Sequence, residues 1–182
     1  MTAGITRTAI PEEIARIADS EDRKLAIRFF IFFLRIEYAL KRTGFIYEKY
    51  SQVHADWDRF ADSIQKQFMR DLRSDQTLRT AHEYLLTQPP RKQVLNHGDL
   101  GWSVEEKNDP VAGRELRWTL TMVRRVRNNL FHGGKFPTPD GRMSDPSRDE
   151  ELLMASLSIL TACLEFHSNV KSAFMETLDD RP

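Results

Sequence analysis

The chain is poor in cysteine: Cys163 is the only one in 182 residues. A single thiol excludes an intrachain disulfide and any multi-cysteine zinc or iron–sulfur centre. Net charge is lacking as well. Lys and Arg number 27, Asp and Glu number 27, and the formal charge at pH 7 is zero. That excludes a histone-like or polybasic-tail protein, whose affinity comes from bulk positive charge, while leaving room for a local basic patch. Long hydrophobic runs are missing too. The longest apolar stretch, Leu25 to Leu40, is broken by Arg28, Arg35 and Glu37, so it does not read as a membrane span. The opening MTAGITRTAIPEE contains no apolar signal core. No internal repeat, low-complexity tract or linker divides the chain. Charged residues make up 30% and hydrophobic residues 40%, a globular balance. The expectation is one domain over 1–182, soluble and cytoplasmic, in a reducing compartment.

What is present is helical periodicity. Pro11 with Glu12 and Glu13 opens a short helix to about Ala18. Asp19-Ser20-Glu21-Asp22 opens a long one to about Lys41, stopped at Gly44. Leu25, Phe29, Phe32, Ile36 and Leu40 form one stripe on it; Ile27, Ile31, Leu34 and Tyr38 form another. Two apolar faces predict a central helix packed on both sides. A third helix runs from Asp56 to about Leu72, with Trp57, Phe60, Ile64 and Phe68 on one face. A fourth spans Asp75 to Leu86 and ends before Pro89-Pro90. Around 91–110 the pattern changes: Val94-Leu95 and Leu100-Gly101-Trp102 flank Asn96-His97-Gly98-Asp99, which suggests an irregular or hairpin insertion. Helical pattern resumes from Val111 to Phe131, with Leu116, Leu120, Val123 and Leu130 facing in. A last helix runs from Asp145 to about Met175, with Leu153, Leu157, Leu160, Leu164 and Val170 inward. The fold class is all-α, a bundle of four to six helices.

The chemistry concentrates in Val123–Lys135. Arg124, Arg125, Arg127, His132 and Lys135 fall within thirteen residues that contain no acid, followed or interrupted by Asn128-Asn129 and Gly133-Gly134. At about 100° per residue, Arg124, Asn128 and His132 share an arc of roughly 80°. Arg supplies a planar fork of donors that matches a phosphate, and a histidine exchanges protons near neutral pH. Together they suit in-line attack of a ribose 2′-hydroxyl on the adjacent phosphate, with His132 as acid or base and Arg127 stabilising charge on phosphorus. That reaction needs no metal, and the sequence offers no compact Asp/Glu/His cluster to hold one. The bare Arg-x4-His spacing is common by chance; its setting before a Gly-Gly helix stop is what singles it out. The plain alternative is a helix end whose cations complement the dipole.

Arg127-Asn128-x-x-x-His132-Gly133 resembles the Rx4–6H signature of HEPN domains (higher eukaryotes and prokaryotes nucleotide-binding). Arg35 to Phe45 resembles the early long helix of a bacterial HEPN-like group. The resemblance covers about twenty to twenty-five residues. It implies a HEPN-like helical bundle that dimerises, placing two motifs in a composite cleft. It further implies a metal-independent endoribonuclease, without cofactor, of the toxin–antitoxin or phage-defence kind, whose partners are RNA, a second copy and an antitoxin or defence-system protein. Carried over, Arg127 and His132 are catalytic and Asn128 is the polar residue that follows the Arg. Some members keep the fold as non-catalytic modules that bind nucleotide, RNA or a protein.

Other residues carry two readings. Glu37 either orients Arg127 or His132 across the bundle, or forms a structural ion pair or a solvated edge. Arg124, Arg125 and Lys135 are RNA-backbone contacts or a solvated face. The Phe29–Phe33 run is core and, in part, a surface for a second subunit. Cys163 reads as a small buried hydrophobe.

Overall fold

A computed structural model describes residues 21–96, 98–103, 110–131 and 146–176. The short helix expected at 11–18 lies outside them. Among the described residues the chain forms six helices and two antiparallel hairpins. The all-α expectation holds, with the hairpins as small attachments to the bundle. No described helix is long and apolar enough to cross a membrane.

Helix α1 (Glu21–Arg42) is the spine. Phe29, Phe33, Ile36, Ala39 and Leu40 are buried along one face. The second apolar stripe departs from expectation: Ile27, Ile31, Leu34 and Tyr38 are 44–58% exposed. Among the described residues α1 is therefore covered mainly along one face, α5 and α6 being two of the helices packed on it. At its end Gly44 adopts φ +83°, and the amides of Phe45 and Gly44 reach back to the carbonyls of Leu40 and Lys41. This is a Schellman stop, which a glycine makes without steric cost. Phe45 then packs edge-on against Phe60, with centroids 5.4 Å apart.

Strands β1 (Ile46–Lys49) and β2 (Gln52–Ala55) follow, paired Ile46 to Ala55 and Lys49 to Gln52. This hairpin has no counterpart in the sequence reading. Its base is fixed by the Asp56 amide on the Phe45 carbonyl at 2.8 Å. Helix α2 (Trp57–Asp71) starts on Asp56, whose Oδ1 accepts from the Arg59 amide at 2.9 Å, and buries the expected Trp57, Phe60, Ile64 and Phe68. Helix α3 (Gln76–Thr87) is capped the same way by Asp75. The expected insertion is a hairpin, β3 (Gln93–Asn96) with β4 (Asp99–Trp102), turning through Gly98 at φ +95°.

Helix α4 (Glu115–Phe131) starts four residues later than expected, after a turn that holds Gly113 at φ +80°. The expected last helix is two: α5 (Pro146–Glu165) and α6 (Ser168–Met175). The break falls at His167, whose Nδ1 accepts from the Val170 amide at 3.3 Å and so caps α6. One hydrophobic core joins all six helices. Inside it His82 and Thr119 form a polar pair at 3.0 Å. The Thr119 hydroxyl donates to the Glu115 carbonyl at 2.8 Å, so its single proton is used and His82 Nδ1 is the donor to it.

Candidate functional site

A cavity of about 400 Å³ opens where α1, α4 and the β1–β2 hairpin meet. Glu37 and Lys41 line it from α1, and Arg124, Arg127 and Asn128 from α4. The hairpin contributes Tyr47, Gln52 and His54, and Trp57 closes it from the start of α2. The α4 residues stand at i, i+3 and i+4, which is why one helix face presents all three.

Arg127 is the best-defined member. Its terminal nitrogen lies 3.4 Å from both oxygens of Glu37, across the bundle. Its guanidinium sits 5.1 Å from the centre of the Phe33 ring, a cation–π distance. Another terminal nitrogen donates to Asn128 Oδ1 at 3.0 Å. Nε is buried and has no hydrogen-bond partner among the described residues. Glu37 also accepts from Trp57 Nε1 at 3.4 Å, and Trp57 stacks on Phe33 at 5.0 Å. Each 3.4 Å contact is longer than the 2.7–2.9 Å of a tight charge-assisted bond. The guanidinium is therefore aimed, over an aromatic floor, by a carboxylate that does not fully occupy it.

The charge balance favours an anion. Lys41, Arg124 and Arg127 face one carboxylate, and among the described residues neither Lys41 nor Arg124 makes an ion pair. On the hairpin, Tyr47 and His54 are cross-strand partners whose rings stack at 5.3 Å and 21°.

Of the residues expected from sequence, Glu37, Arg124, Arg127 and Asn128 come together in this cavity. Arg125 does not: its guanidinium donates to the Pro90 carbonyl at 3.1 Å, on another side of α4. Asn129 likewise donates to the Arg91 carbonyl at 2.8 Å. The basic and amide run thus divides between the cavity and a strut that holds the segment leading into β3. His132 and Lys135 lie outside the described residues. Arg35 is structural: its Nε donates to the Phe174 carbonyl at 2.5 Å, and its terminal nitrogen donates to that of Glu176. Tyr47, Gln52, His54, Lys41 and Trp57 were not foreseen. Ile46-Tyr47-Glu48-Lys49 does not alternate in polarity and is exposed throughout, so the first hairpin carries only a weak strand signal.

Burial pushes the Cys163 thiol well above its ordinary range, as befits a core side chain. A second, shallower hollow lies on α1 between Lys24, Ile27, Arg28, Ile31, Arg35 and Phe174. Comparison with protein-family models, with curated proteins and with solved structures gives no match.

Proposed function

We propose that this chain is a HEPN-like, metal-independent endoribonuclease that acts as a homodimer. The observation that carries the reading is Arg127, aimed by Glu37 over Phe33 into a cationic cavity, with His132 five residues on. The 2′-oxygen of a ribose forms a bond to the adjacent phosphorus and the bond from phosphorus to the 5′-oxygen breaks. The hydroxyl proton passes to a base, and the leaving 5′-oxygen takes up a proton. His132 is assigned to proton transfer, Arg127 to charge on the phosphoryl oxygens, and Asn128 to keeping Arg127 in place. Glu37 acts through Arg127. Arg124 contacts backbone phosphate, as does Lys135 on the sequence reading. No cofactor enters the scheme.

Dimerisation is assigned to the exposed stripe of α1, where Ile27, Ile31, Leu34 and Tyr38 leave large apolar side chains open. An antitoxin or other defence partner fits the same reading.

The test is cleavage of several RNAs, tRNA included, by purified protein in excess EDTA, beside Arg127→Ala and His132→Ala. Products ending in 2′,3′-cyclic phosphate, absent with either variant, are expected. No cleavage by folded wild-type dimer would replace the ribonuclease with a non-catalytic module that binds nucleotide, RNA or protein.

A further inference from the structure

We infer that the Tyr47–His54 pair is a base-stacking wall, and that the cavity takes an unpaired nucleotide of a single strand, its phosphate on Lys41, Arg124 and Arg127. This rests on the reading above that the cavity receives a phosphodiester, and it adds which part of the polymer enters. Three observations carry it.

The first is the placing of the rings. Tyr47 and His54 face each other across the hairpin and stack within 21° of parallel. Yet Tyr47 remains 44% exposed and His54 is only half-buried. An aromatic pair that served the core would be covered, as Phe33 and Trp57 are. This pair lines the cavity instead, and the exposure of Tyr47 leaves ring surface for a base to meet.

The second is the separation of chemistry. The cations come from α1 and α4, and the flat aromatic rings come from the hairpin. A bare phosphate would need only the first wall. A nucleotide has an anionic end and a flat end, and needs both. The volume of about 400 Å³ lies within the range of small-molecule sites and exceeds what a phosphate requires.

The third is the cost of building the hairpin. Its turn places Tyr50 at φ +52° and Ser51 at φ +57°, where asparagine and glycine are the comfortable residues. Its outer residues bury little, since Tyr50 is 87% exposed and Val53 54%. The hairpin contributes little core; what it does contribute is a wall to the cavity. Because both faces of a base inside a duplex are already stacked, a base can use this wall only from a single strand or when flipped out.

Binding is tested with fluorescein-labelled 2′-O-methyl hexanucleotides, which lack the attacking hydroxyl. Three probes are compared by anisotropy: the single strand, the same strand annealed to its complement, and an abasic strand with the same phosphates. The single strand should bind wild type on the order of tenfold more tightly than either other probe. Tyr47→Leu, which keeps apolar bulk and loses the ring, should erase that advantage and leave abasic affinity unchanged. Tyr47→Phe should retain it. Equal affinity for base-bearing and abasic strands would overturn the wall. So would Tyr47→Leu weakening both probes alike. No turnover is read in this experiment, so failed RNA cleavage refutes the ribonuclease and leaves this result standing. Conversely, RNA cleavage with no preference for bases refutes the wall alone.

Discussion

Glu37→Gln removes one charge beneath Arg127 and keeps the side chain's shape. In wild type the guanidinium rests on Phe33, meets both Glu37 oxygens at 3.4 Å, and leaves Nε without a partner among the described residues. In the variant an amide replaces the carboxylate, and a partly buried cation is left with neutral acceptors only. The magnitude follows from burial. Breaking one side of a fully buried pair costs about 3–5 kcal/mol, whereas an exposed pair is worth about 0.2–1 kcal/mol. Here the side chains keep 27% and 23% of their exposure and the contacts are long. The cost should therefore fall between, at about 1.5 kcal/mol. Urea unfolding reads it as a midpoint lower by roughly half a molar, given a slope of about 2–3 kcal/mol per molar. Arg127→Met and the double variant complete a cycle. The double variant should be more stable than the two single changes sum to, by about 1 kcal/mol, because the stranded cation has gone. A single-variant loss under about 0.3 kcal/mol, or strict additivity, would refute the coupling between Glu37 and Arg127.

Two further outcomes are expected. Burial holds the His82 imidazole below its ordinary range, against the opposing pull of Glu115 and Glu83. The unfolded chain then accepts a proton that the folded one refuses, so stability should be full above about pH 6.5 and fall below it, by at most about 1.4 kcal/mol per pH unit. His82→Asn keeps a donor to Thr119 and should remove that component from urea midpoints between about pH 5.5 and 7.5; identical slopes in both proteins would sink the assignment. For the assembly, Ile31→Asp on the 58%-exposed position should turn a sedimenting dimer into a monomer while changing protomer stability by less than about 0.5 kcal/mol. A dimer that persists places the contact elsewhere.

Where local rules act alone, the sequence was readable. Asp56 and Asp75 are N-caps because their carboxylates satisfy free amides, and both helices begin beside them. Gly44 stops α1 through its left-handed conformation. Three features escaped for physical reasons. The first hairpin turns on Tyr50-Ser51, both at positive φ, which lack the Asn-Gly signal that marks such a turn. The break between α5 and α6 carries neither glycine nor proline; a histidine ring does the capping. The second stripe of α1 has the pattern of a buried face, yet it is exposed among the described residues; periodicity marks an apolar face and not what meets it. At the site, the Glu37–Arg127 meeting spans 90 positions. It was suggested by a charge set in an apolar helix, whereas the aromatic wall carried no comparable mark.

Arg35 binds the carbonyl of Phe174, 139 positions downstream, and lies two residues before Glu37 on the same helix. During synthesis α1 therefore leaves the ribosome long before the helices that seat it. At about 5–20 residues per second, the wait is on the order of ten seconds. Until α5 and α6 arrive, the part of α1 that they cover stays open to water. The connectivity therefore makes the seating of α1 a late event: Arg35 has no Phe174 carbonyl to bind until α6 has been made.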